Sequence, residues 1–239
     1  MSSKIVPLTN VGLLSAAIGR TLQRPIGLPG LVVMYGKSGL GKSVSAAYAA
    51  NQYRAYYVEC RLTWTKKAFL QAILREMCIK PENTLYQMVD QVAEQLSRSG
   101  RPLIVDDVQY LLDKSAADVL TDLYNASQGT IVLIGEQGVS NSLAKLERLH
   151  NRVLEWVPAQ LASLSDVQRL ATATYPEVTF AEDLLNDLNK AVEGCLRRIA
   201  VNLHRVNSEA AATGKDKVDL EYWGKRGWFT GQAPDRRVA

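Results

Sequence analysis

The sequence predicts an α/β fold: a mostly parallel sheet with helices on both faces, followed by a small all-helical domain. Two observations predict it. Over the first two-thirds of the chain, short apolar runs alternate with helix-like segments, the order that builds a parallel sheet covered by helices. Past Pro158 the strand-like runs stop and helical patterns remain.

The strand runs are Gly30–Tyr35, Ala55–Cys60, Leu103–Asp106 and Thr130–Gly135. Each is rich in β-branched or aromatic residues and bounded by Gly, Pro or charge. Between and after them, Ser43–Tyr53, Trp64–Cys78, Thr84–Ser99 and Ala116–Gln128 read as helices. In the last third, Ser163–Thr174, Ala181–Lys190 and Gly194–Ala212 read as three more. Ser163 followed by Asp166 is a helix-start signature, and Gly214 is a helix stop. The expected domains are residues 1–158, 159–223 and a basic tail, 224–239, carrying Lys225, Arg226, Arg236 and Arg237. The tail is expected to be ordered only where a partner or the body holds it.

Composition narrows the class. With 239 residues, 47% of them apolar, the chain can bury a sizeable core. A formal charge of +4 permits nucleic-acid binding without demanding it. Cys60, Cys78 and Cys195 are odd in number and widely spaced, and neither histidine sits in a zinc-ligand pattern. No signal-peptide pattern opens the chain, and no apolar run reaches the roughly 20 residues that span a bilayer. A soluble intracellular protein is expected.

The densest chemical signal is Gly36-Lys37-Ser38-Gly39-Leu40-Gly41-Lys42-Ser43, which fits G-x-x-x-x-G-K-S between a strand and a helix. Its glycines let the backbone wrap phosphate oxygens, and its N–H groups with the helix N-terminus form a positive cradle. Lys42 is expected to reach the β- and γ-phosphates of ATP, and the Ser43 hydroxyl to ligate Mg²⁺. The second half of the site is Leu103-Ile104-Val105-Asp106-Asp107. Asp106, on an apolar strand ending beside the phosphate loop, would hold the Mg²⁺ mostly through water. Asp107 would orient the attacking water, as Glu does in many ATPases of this type. It is one methylene, roughly 1.5 Å, shorter than Glu, so slow hydrolysis is expected.

Glu136 ends the next strand, where a polar residue commonly senses the γ-phosphate; it could polarise the water alongside Asp107 or bind Mg²⁺ indirectly, and it could equally be an exposed loop acid. Arg148 and Arg152, four apart, are expected on one helix face, where either could act as an arginine finger on a neighbouring subunit's phosphate. Arg197 opens the last long helix and could reach the γ-phosphate from a lid.

These elements together resemble the AAA+ ATPases over roughly Asn10 to Trp223. More narrowly they resemble the transposition ATPases of the Mu B and TnsC type, through Tyr35–Ser43, Val105-Asp106-Asp107-Val108-Gln109-Tyr110-Leu111, Ile134-Gly135-Glu136 and Arg148-x-His150-Asn151-Arg152-Val153. The resemblance implies an AAA+ three-layer αβα domain with a helical lid. It implies assembly as a filament or ring on duplex DNA of any sequence, and delivery of that DNA to a transposase. ATP hydrolysis then disassembles the oligomer. The setting implied is a bacterial cytosol, with a phage or mobile element as the source. Arg61, Lys66 and Lys67, around Trp64, follow the second strand, where related filaments line a channel for DNA. Two lysines at a helix start oppose the helix dipole, a placement that nearby phosphate would offset. A helicase loader or initiator-like ATPase, and a signalling ATPase without DNA, are the alternatives. A small-molecule kinase fits the Asp106-Asp107 pair and the lid poorly.

Overall fold

The structure, a computed structural model, describes residues 6–112 and 117–232. It divides into two compact units. One comprises Asn10–Ser38 with Lys42–Ala159; the other comprises Gln160 onwards with Gly39–Gly41 and the N-terminal residues up to Thr9.

In chain order, the first unit holds α1 (Thr9–Leu22, its first residue grouped with the other unit), β1 (Leu31–Tyr35), α2 (Lys42–Tyr53), β2 (Tyr56–Glu59), α3 (Lys66–Glu76) and α4 (Leu85–Ser99). Then come β3 (Leu103–Asp106), α5 (Gln109–Leu112), α6 (Ala117–Ser127), β4 (Ile131–Gly135), α7 (Val139–Ala144), α8 (Glu147–His150) and β5 (Val153–Pro158). The five strands are all parallel, in the order β2-β3-β4-β1-β5. The sheet is covered on both faces, which is why its central strands are unbroken apolar runs. Leu31, Val33, Val105, Ile131 and Leu133 pack towards α3, α4 and α6. Val32, Met34, Ile104, Val132 and Ile134 pack towards Leu14 and Ile18 of α1 and Ala46 and Ala49 of α2.

The second unit holds α9 (Leu164–Thr174), β6 (Thr179–Phe180), α10 (Glu182–Ala191), α11 (Leu196–Thr213), β7 (Lys217–Val218) and α12 (Leu220–Trp223). Ser163 and Asp166 form a complete capping box at α9, and Gly214 closes α11 with φ +66°, both as the sequence predicts. Val167, Leu185, Leu188, Ile199 and Leu203 fill its core.

Two sequence expectations are corrected. α1 and β5 lie where the sequence pattern predicts no element: Gly12 and Gly19 dilute the helical pattern, and Glu155 and Pro158 break the strand pattern of an edge strand. The helical region also contains a parallel pair, β6 with β7, too short for any periodicity to register. The tail as far as Phe229 is held by the body, one of the two conditions under which it is expected to be ordered. Asn202 exchanges two hydrogen bonds with the Phe229 backbone, at 3.0 and 2.8 Å. Trp228 stacks on Trp223 at 4.9 Å and donates its indole N–H to Asp187 at 2.7 Å. Arg226 is paired with Glu209 at 3.2 Å; Arg236 and Arg237 lie outside the described residues.

Candidate nucleotide-binding site

The carboxyl ends of β1, β4 and β3 lie side by side, and each carries part of the site. The sequence pattern puts Asp106 beside the phosphate loop; in the sheet β4 stands between β1 and β3. The strand that leads into Glu136 is therefore the direct neighbour of both. Tyr35 pairs with Gly135, so the phosphate loop and the Glu136 turn leave the sheet at one level.

Within this unit, Gly36, Lys37 and Ser38 follow β1, and Lys42 and Ser43 open α2. The Lys42 ammonium donates to the carbonyls of Gly36 at 2.8 Å and Lys37 at 2.9 Å. A fixed cation thus sits inside its own loop, with Ser43 exposed beside it. Gly39 and Gly41 both have φ +84°, where only glycine is unstrained. Both are also closely approached. A Cβ at Gly39 would lie 2.7 Å from Cys195 Sγ, and one at Gly41 2.9 Å from Leu196 Cδ1. In that same unit the Arg197 N–H donates to the Gly39 carbonyl at 3.1 Å, while Leu40 is buried and the Arg197 side chain is exposed.

Asp106 is 1% exposed. Its Oδ1 accepts the Asp107 N–H at 2.9 Å and its Oδ2 accepts the Tyr57 hydroxyl at 3.1 Å. Burial, then the adjacent Asp106 charge, push the Tyr57 phenol well above its ordinary pKa, so it stays a donor. Asp107 adopts φ +52°, a left-handed turn that Asp tolerates. That turn lets Val108 donate to the Ile134 carbonyl at 2.9 Å.

Gln109 links the two remaining acids. Its amide donates to Asp107 Oδ1 at 3.1 Å, and its carbonyl oxygen accepts the Glu136 N–H at 3.4 Å. The Glu136 carboxylate itself is exposed. In the sequence Gln109 appears within the Val105–Leu111 motif run without a role of its own, and Tyr57 does not stand out. An i, j+2 search along paired strands would have flagged Tyr57.

The arginines separate. α8 ends at His150, so Arg152 lies beyond the helix and shares no helix face with Arg148. The chain leaves the helix because the Arg152 carbonyl must receive the Leu31 N–H at 3.0 Å to start the β1–β5 pairing. Arg152 donates to Asn125 at 2.8 Å and to the Arg148 carbonyl, and lies over the Tyr124 ring. Arg148 is exposed, and its guanidinium has no partner among the described residues.

The residues proposed to meet DNA lie after β2. Arg61 stands over Trp64, 5.9 Å from the ring centroid. Both line a cleft of about 270 Å³ with Tyr57, Glu59 and Arg75. Lys66 and Lys67 are the first residues of α3, capped by Thr65. Lys66 lies 3.6 Å from Asp118, and Lys67 donates to the Asn83 carbonyl at 3.3 Å. No helix among the described residues is long and apolar enough to cross a membrane.

Residues 26–143 match a family described as the AAA domain. The chain is 24% identical over 221 residues to the ORC1-type DNA replication protein 1 of Archaeoglobus fulgidus, covering 80% of this chain and 54% of that protein. It therefore spans about half the length of the curated relative it matches. Among solved structures it is similar to the ORC2 protein of Aeropyrum pernix in ADPNP–ADP complexes, with TM-score 0.72 and 15% identity over 93% of this chain and 68% of that one. It is also similar to the A. pernix ORC1 protein in complex with DNA, with TM-score 0.63 and 16% identity over 92% and 65%. The comparisons point to origin-recognition proteins and do not reach the narrower Mu B and TnsC resemblance. The match over residues 26–143 is to an AAA domain, and the sheet order and loop geometry describe the P-loop AAA+ α/β fold.

Proposed function

We propose that this chain is an initiator-like AAA+ ATPase that binds ATP with Mg²⁺, assembles into homo-oligomers and acts on duplex DNA. The observation that carries the reading is the convergence on one sheet edge of Lys42, Ser43, Asp106, Asp107 and the Glu136 turn. The similarity to an ORC1-type replication protein supports DNA as the client.

The donor set fits the cofactors. Ser43 and Asp106 offer hard oxygen donors suited to Mg²⁺, which holds water and phosphate oxygens rather than nitrogen or sulfur. Bound there, Mg²⁺ would neutralise charge on the phosphates. The chain's own groups do the rest. Lys42 supplies a positive charge already held in place by the Gly36 and Lys37 carbonyls. Asp107, oriented by Gln109, accepts a hydrogen bond from the attacking water. Arg148 projects from the surface as the candidate finger for a neighbouring subunit, and Arg197 is the candidate lid contact for the γ-phosphate. Arg61, Lys66 and Lys67 form the candidate DNA contact.

Delivery of target DNA to a transposase is the second reading. It rests on the motif run from Tyr35–Ser43 to Arg148–Val153. Both readings share the first test: particle size and electron microscopy with ADPNP and duplex DNA, beside phosphate release with and without that DNA. Absence of DNA-bound assemblies at low salt would leave a signalling ATPase. Assemblies whose phosphate release rises only on adding a transposase would favour the transposition reading.

A further inference from the structure

Tyr57 lies on the edge strand β2, and Asp106 ends the neighbouring strand β3. The parallel register pairs Tyr57 with Ile104 and Glu59 with Asp106. Side chains two apart on a strand share a face, so Tyr57, Ile104 and Asp106 all point to the side of the sheet packed against α2. Tyr57 is thus the diagonal neighbour of Asp106. An aromatic side chain is long enough to close that gap, and its hydroxyl does so at 3.1 Å.

The carboxylate is pinned at both ends. Oδ1 takes the Asp107 N–H and Oδ2 takes the Tyr57 hydroxyl. A carboxylate has about four acceptor positions, so each oxygen keeps one for the hydrogens of metal-bound water. Without the tyrosine hydroxyl, Oδ2 would lose its fixed donor in a site 1% exposed to solvent, and the carboxylate would be free to turn. Tyr57 also walls the cleft that holds Arg61 and Trp64.

We propose that Tyr57 is a positioning residue for the metal: its hydroxyl fixes the Asp106 carboxylate in the orientation that receives Mg²⁺-bound water. This rests on the nucleotide reading of the same site. The chain-specific element is a tyrosine reaching across from the adjacent strand, rather than a group on β3 itself.

The test separates metal from nucleotide. Binding of mant-ADP to the full chain is titrated in EDTA and again in Mg²⁺, for wild type, Tyr57→Phe, Asp106→Asn and the double variant. The phenylalanine keeps the ring and its packing, and a thermal melt confirms the fold. The expected result is unchanged affinity for Tyr57→Phe in EDTA and an about 10-fold smaller gain on adding Mg²⁺, the scale of outer-shell effects on metal sites. Asp106→Asn loses the same gain, and the double variant loses no more. A full Mg²⁺ gain in Tyr57→Phe overturns the role of Tyr57 while leaving the nucleotide reading intact. Wild type that binds no mant-ADP in either condition overturns both.

Discussion

The side-chain amide of Gln109 donates to the Asp107 carboxylate at 3.1 Å. Through its other end Gln109 receives the Glu136 N–H. One neutral side chain therefore aligns the proposed water-orienting acid with the end of the central strand β4. The first prediction follows from that link. Asp107→Asn should abolish phosphate release while retaining mant-ADP binding. Gln109→Leu should lower turnover about 10- to 100-fold with little change in KM, because misplacing a positioned group costs rate more than affinity. Steady-state phosphate release across ATP concentrations measures both. Full activity in Gln109→Leu would remove the amide from the mechanism.

Arg148 and Arg152 should behave oppositely. Arg148→Ala should leave the melting temperature in place and reduce turnover of the assembled protein by about 10³-fold, the lower end for an arginine finger. Arg152→Ala removes the Asn125 hydrogen bond and the Tyr124 stack. It should destabilise the fold by about 1–2 kcal/mol. Mixing Arg148→Ala with Lys42→Ala subunits and measuring restored turnover checks whether Arg148 acts across subunits.

Lys66→Ala with Lys67→Ala should weaken duplex binding at any sequence. The magnitude of the slope of log affinity against log salt should fall by about 2, one for each lysine that no longer neutralises a phosphate. ATP affinity should stay the same. A salt titration by fluorescence anisotropy reads the slope, and an unchanged slope would place DNA elsewhere on the molecule.

Asp166 supplies a pH prediction. Burial alone would raise its pKa, but Asp166 accepts the Thr9 N–H at 2.9 Å, the Thr9 hydroxyl and both donors of Ser163. Those bonds hold its carboxyl below the usual carboxylate range. A folded pKa below the unfolded one stabilises the protein above the unfolded value, about 3.9. That stability is lost as pH falls through the folded value. Asp166→Asn should therefore lower the melting temperature at neutral pH, and the gap from wild type should close in acid below about pH 4. Thermal melts at a series of pH values test the convergence.

The phosphate loop is legible in the sequence because its chemistry is contiguous: eight successive residues carry the turn, the lysine and the hydroxyl. Asp106 is legible as an acid ending an apolar run, and the Ser163–Asp166 cap and Gly214 stop are legible as local rules. β5 is not, because an edge strand buried mainly at Val157 carries a broken pattern. Spacing puts Arg152 on a helix with Arg148, because spacing alone cannot show where the chain must turn to meet Leu31.

The inventory is therefore written locally along the chain: a phosphate loop, an acid-ended strand, a parallel sheet and a helical region. The company each group keeps is a property of the folded molecule. The pairing of β3 with β4 brings Gln109, already beside Asp107 in the chain, to the Glu136 turn. The β2–β3 register brings Tyr57 to Asp106 across 49 positions of chain. Strand order and register are set by burial of the whole apolar surface on both faces of the sheet, a sum over distant residues that leaves no local mark beside any one of them.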